Sequence, residues 1–139
     1  MVNISQFSNK TFQEAKAFTP TYPDSGVEME GVTIWVKSSK SDVALPIVTE
    51  VTNRLAAQQA QYQRTGKLAL DSKKAEQDDV RLACAVLIDF KGFVDDNGKE
   101  IKVSPEVIES LMKDHDWLRQ QVLEKANDVT FFYKSEPMN

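Results

Sequence analysis

The sequence predicts a mainly α, α+β protein: a compact helical domain of about four helices, short N-terminal strands and a small β-hairpin near residues 93–103. Three observations point there. Apolar residues recur at 3–4 spacing from Ile47 to Tyr62 and again from Trp117 to Tyr133. Residues 27–37 alternate with a period of two. Asn97-Gly98 sits between two short apolar runs, a hairpin signal, and Ser104-Pro105-Glu106 then reads as a helix start.

The 139 residues suit a single domain over 1–139. With 41% hydrophobic and 27% charged residues, the chain has material for a core. The formal net charge is -4, and the one basic doublet, Lys73-Lys74, is followed by Glu76, Asp78 and Asp79. That disfavours nucleic acid as a partner, because phosphate contacts need a basic face. The lone Cys84 forms no internal disulfide, which fits a reducing cytoplasm. MVNISQFSNK has no apolar signal region, and the apolar run from Leu82 to Ile88 is too short for a membrane span. A soluble protein away from the membrane is expected.

The elements follow in order. Residues 1–23 carry spaced aromatics (Phe7, Phe12, Phe18, Tyr22) and two prolines, Pro20 and Pro23, that stop any helix. A flexible N-terminal arm is expected, with two helical turns over Phe12–Phe18. Val27–Lys37 reads as two short strands with Gly31 at the bend, and Trp35 is expected to pack on a helix. Ser38–Asp42 offers N-caps, and Pro46 opens an amphipathic helix of about five turns that stops at Gly66. Ala56, Ala57 and Ala60 make a slim second face on it, suited to close approach of another helix. Lys67–Asp79 reads as a solvated link.

Val80–Phe90 is apolar on nearly every face and reads as the central buried helix, with Gly92 as its C-terminal stop. The hairpin across Asp95-Asp96-Asn97-Gly98 comes next, then a helix from Ser104 with Val107, Ile108, Leu111 and Met112 inside. After a break at Asp114-His115-Asp116, one last long helix carries Trp117, Leu118, Val122, Ala126, Val129 and Tyr133 on a stripe. Residues 134–139 form a flexible tail.

No catalytic, cofactor-binding or metal-binding residues are expected, so the chain does not read as an enzyme. Cys84 lies inside LACAVLI, where a small buried hydrophobe is the ordinary use. His115 is the only histidine and stands between two aspartates at a helix junction. Asp95–Glu106 begins like a calcium loop. Yet Lys99 takes a ligand position, Glu100 replaces the turn glycine and Pro105 precedes the final Glu106. Those acids read as a turn and a helix start.

The ordered punctuation carries a resemblance. An apolar helix ends near Phe90-Lys91-Gly92-Phe93, and the acidic turn Asp95-Asp96-Asn97-Gly98 follows. Next comes the helix start Ser104-Pro105-Glu106-Val107-Ile108, then Asp116-Trp117-Leu118-Arg119-Gln120-Gln121-Val122, and an aromatic end at Phe131-Phe132. The Trp35-Val36-Lys37-Ser38 strand and the helix start at Asp42 are similar too. Together these resemble the tail assembly chaperones of long-tailed (siphovirus-type) bacteriophages. The first 23 residues take no part in the likeness.

That resemblance implies a non-enzymatic chaperone, without a cofactor, acting in the host cell cytoplasm and absent from the mature virion. Its partners would be the tape measure protein, kept soluble, and the tail tube protein, recruited through a longer frameshifted form. It also implies self-association into a homo-oligomer. The Phe131-Phe132-Tyr133 end is the candidate partner-binding element. A run of uridines encoding Phe131-Phe132 would permit the slippage; codons there lacking a slippery heptamer would remove the idea. Two other readings stand beside the chaperone. One is a structural tail-completion or head–tail connector protein of the virion, and the other is a small adaptor that regulates a host enzyme.

Overall fold

The fold is built around one short strand. A computed structural model describes residues 1–67 and 71–134. In it, β2 (Thr33–Val36) alternates strictly: Ile34 and Val36 are fully buried, while Thr33 and Trp35 are half-buried on the other face. This is the period-two pattern of a strand with one face on a core. β2 is the middle of a three-stranded antiparallel sheet, with β1 (Lys16–Phe18) on one side and β3 (Leu87–Lys91) on the other.

Among the described residues there are five α-helices: α1 (Leu45–Thr65), α2 (Ser72–Val86), α3 (Pro105–Asp114), α4 (Asp116–Ala126) and the short α5 (Val129–Tyr133). The expected mainly helical α+β class is what the chain adopts. α2 packs against both α3 and α4, and α4 covers the Ile34–Val36 face of the sheet. The core joins Ile34, Val36, Val86, Met112, Leu118, Val122 and Phe132.

Several elements differ from the sequence expectation, each for a physical reason. The apolar stretch read as a helix over Val80–Phe90 splits. Helix α2 ends at Val86, and Leu87–Lys91 is a strand. Uniform apolarity cannot tell a buried helix from a buried strand; pairing with β2 decides, with Ile34 opposite Phe90. A register shift between Trp35 and Val36 lets Leu87 and Phe90 both face inward and leaves Ile88 and Asp89 outside.

The polar link over Lys67–Asp79 is largely helix. Asp71 caps α2 by accepting from the Lys73 and Lys74 N–H groups at 3.1 and 3.2 Å. Its first turns look solvated in sequence because most of their residues are exposed. Residues 68–70 of that link lie outside the described residues.

Within residues 1–23, expected to form an arm, Phe12, Phe18 and Pro20 are buried while residues 1–7 stay exposed. Two short 3-10 turns, Ile4–Phe7 and Asn9–Gln13, replace the helical turns, and β1 follows. The Gln121 side-chain amide clamps the Thr21 backbone from both sides, at 2.8 and 2.9 Å. In the Val27–Gly31 region only Glu28 bridges, to Thr21, so the first of the two expected strands is a single bridge. The hairpin near 93–103 is likewise one bridge, Val94 with Glu100, closed by an Asn97-Gly98 turn with Gly98 at φ +77°. The last helix is broken in two: Asp128 accepts from the Phe131 N–H and starts α5 anew. Of the expected 134–139 tail, residues 135–139 lie outside the described residues.

Candidate functional site

Cys84, His115 and the acidic run from Asp95 lie on different elements. Cys84 is half-buried on α2; burial first, and the Glu109 carboxylate second, push its thiol pKa up. A raised pKa is the reverse of an activated thiolate. His115 sits at the α3–α4 junction, its Nδ1 3.0 Å from the Leu111 carbonyl oxygen and its ring edge-on to Trp117. Asp95 spends its Oδ1 on the Asn97 and Lys99 N–H groups of the turn, at 2.8 and 3.0 Å, and the Ser104 hydroxyl caps Val107. The calcium-like run is thus turn and cap chemistry. Among the described residues, no group of three or more His, Cys, Asp or Glu could hold a metal ion. Among them, too, no helix is long and apolar enough to cross a membrane.

The aromatic end is placed differently from a docking element. Phe132 is fully buried in the core. Phe131 and Tyr133 are half-buried and meet the N-terminal aromatics: Phe131 lies edge-on to Phe18 at 6.4 Å, and Tyr133 meets Phe12 at 5.3 Å and Phe7 at 5.7 Å. The Lys125 ammonium lies 5.1 Å over the Phe131 ring. This trio therefore closes the two chain ends on each other. Partial surface remains only at Phe131 and Tyr133.

The open apolar surface lies elsewhere. Helix α1 is 21 residues long and contains no buried residue. Val48, Val51, Leu55, Gln58 and Tyr62 form one stripe at 3–4 spacing along it. The stripe begins half-buried at Val48 and opens outward, to 56% exposure at Leu55 and 44% at Tyr62. The helix is held to α2 by ion pairs on the neighbouring face. Arg54 bonds to Asp78, and Arg81 donates to Glu50 at 2.6 Å. The Arg81 hydrogen bond holds the exposed Glu50 carboxyl below its ordinary pKa.

Opposite the stripe, α2 offers little apolar surface: Asp71, Ala75, Asp78 and Leu82. The consequence is a valley over α2, walled by α1 on one side and by α4 on the other. Its lower opening, about 230 Å³, is floored by Val48, Val51 and Leu82, with Asn127 of the α4 C-terminus at its edge. The upper opening, about 270 Å³, runs past Val51, Leu55 and Ala75 to Asp71. A third lies along α4 at Leu123 and Glu124. Asp79 lines all three.

Sequence reasoning found the α1 stripe but not the valley. The signal that could have found it is a mismatch: the stripe runs on to Leu55 and Tyr62, while residues 71–79 on the start of α2 are almost all polar.

No curated protein and no solved structure matches the chain. A family profile, that of the YdaY prophage protein, matches residues 45–138, from the first turn of α1 to the C-terminal tail. That span is well over half of the chain and contains every helix around the valley, and it points to a phage-derived protein. The chain belongs to the YdaY prophage protein family.

Proposed function

We propose that this phage-derived protein is a non-enzymatic tail assembly chaperone. It binds the tape measure protein in the host cytoplasm, keeps it soluble and helps bring tail tube subunits to it through a longer frameshifted form. It then stays out of the finished particle. The observation that carries this reading is α1: a 21-residue helix with no buried residue and an apolar stripe open at Leu55 and Tyr62. Large exposed apolar patches mark interaction surfaces, and a client built of long amphipathic helices is held by grooves between helices. The order of motifs from Asp42 to Phe132 supports the tail-assembly part, and the prophage family supports the phage part.

Co-expression with the candidate tape measure protein tests it. The expected result is a tape measure protein that moves from the pellet to the soluble fraction and co-purifies with this chain. A tape measure protein equally insoluble with and without it ends the reading. Mass spectrometry of purified virions adds a second check: a stoichiometric amount of this chain in the particle marks a structural tail-completion or connector protein instead.

A further inference from the structure

The valley over α2 has a definite length, chemistry and charge. We propose that it is the docking site for one amphipathic helix of a partner protein, apolar along one stripe and flanked by lysines or arginines. Helices nest at interaxial distances of about 8–10 Å, so a valley between two walls over a third helix takes one more helix and not a strand or a loop. Its apolar contacts are Val51, Leu55 and Ala75 above, Leu82 below and Leu123 on the far wall.

The sign of the flanking charge follows from the ion pairs. Asp71, Asp79 and Glu124 line the valley and are all exposed. Of the bases along it, Arg54 is committed to Asp78 and Arg119 to Asp116, at 2.8 Å in the latter case. Lys74 is the one that forms no ion pair among the described residues. Beneath the floor, the Asp78 side chain is only 7% exposed, and its Oδ1 has no hydrogen-bond partner. The valley is therefore acidic along its rim and underlain by a carboxylate that is not fully satisfied. A basic flank on the incoming helix complements it. A second copy of this chain is the poorer occupant, because each copy carries net charge -4 and the same acidic rim.

This inference deepens the chaperone reading and rests on it only in needing a helical client; the place and the charge sign are its own. The test uses full-length protein and a fluorescein-labelled synthetic peptide of about 18 residues, roughly 27 Å as a helix, with leucines at 3–4 spacing and lysines beside them. Binding is read by fluorescence anisotropy. Leu55→Glu is expected to weaken it by about tenfold or more, since it puts a charge at the centre of the apolar contact. Asp79→Lys, a rim reversal, is expected to weaken it by about threefold to tenfold. Both residues are exposed, so the substitutions spare the core. Ile88→Glu, at an exposed position on β3, is expected to leave affinity unchanged.

On the unsubstituted protein, peptide-induced amide shifts are expected along residues 47–58, 75–82 and 120–127. Unchanged affinity in both Leu55→Glu and Asp79→Lys overturns the proposal, as do shifts centred on the sheet or α3. A glutamate-flanked peptide that binds as well as the lysine one overturns the charge assignment. Dimerisation abolished by Leu55→Glu, with no peptide binding, gives the valley to a second copy and overturns it too. The two readings fail separately. A tape measure protein that stays insoluble while the peptide still docks in the valley removes the chaperone alone. Solubilisation unaffected by Leu55→Glu and Asp79→Lys removes the site alone.

Discussion

Arg54 and Asp78 show how one residue pair helps hold a helix with no fully buried residue. Asp78 is nearly enclosed and Arg54 a quarter exposed, so the pair sits at the α1–α2 seam with little water around the carboxylate. Arg54→Leu leaves that carboxylate with Arg81 alone, 3.7 Å away. The expected loss is about 2–3 kcal/mol in urea denaturation, less than for a fully enclosed pair. Arg54→Leu with Asp78→Leu together is expected to recover most of it, because no unpaired charge remains.

Phe132 is a second decisive residue. Phe132→Ala should cost about 3–5 kcal/mol, whereas Phe131→Ala and Tyr133→Ala, at half-buried sites, cost less. Lost client binding in Phe132→Ala would thus accompany a lowered melting temperature; if thermal stability is unchanged, the core placement fails. Cys84 carries the pH prediction. Its folded pKa is raised, so its contribution to stability is present below the ordinary thiol range and lost as pH rises through the folded value. Iodoacetamide should alkylate it more slowly at pH 8 than a free thiol, with the rate climbing at higher pH; a rate equal to the free thiol contradicts this.

At the scale of elements, some capping and turn signals were read correctly. The N-caps expected at Ser38–Asp42 and the helix stop expected at Gly92 were not, since α1 starts after Ala44 without a side-chain cap and Gly92 follows a strand. The boundaries of apolar runs were not either. Ser104 with Pro105 opens α3, Gly66 ends α1 in the left-handed region at φ +72°, and Asn97-Gly98 turns the hairpin. Each is a short-range device, complete within a few residues. The Leu87–Lys91 strand is not: its neighbours in the sheet are β2 residues some fifty positions earlier. Gly92 marks the place where these elements close up. It has φ +102°, and a Cβ added there would overlap the Gly31 carbonyl oxygen in the turn just before β2. Gly92→Ala is therefore expected to cost about 2–3 kcal/mol, from backbone strain plus displacement of the β2–β3 junction. A urea midpoint equal to the parent's would show that the junction yields freely.

Across the whole molecule, stability and openness are divided between two ends. At one end the sheet, α3, α4 and α5 share a core closed by contacts between both chain termini, from Phe7 and Phe12 to Phe132 and Tyr133. At the other, α1 and the first turns of α2 form an antiparallel pair joined by ion pairs and a thin apolar seam. Hydrogen exchange should follow that division. Amides of the outer half of α1, from Gln58 to Thr65, exchange through local opening, and those of β2 and the middle of α4 exchange only with global unfolding. Uniform protection over all helices would contradict it. Under the proposed chaperone reading, this layout lets the α1 end adjust to a helical client without loosening the core.

The residues alone determined the fold class, the α1 helix and its stripe, the helix start at Ser104 and the Asn97-Gly98 turn. These depend on spacing and local backbone preference, which a sequence displays directly. Tertiary structure decided the rest. It turned Leu87–Lys91 into a strand, folded the N-terminal residues against α5, buried Phe132 and left Leu55 in the open. Which apolar residues find a partner depends on chain segments far apart in sequence, and that pairing is what separates a core aromatic from a docking surface.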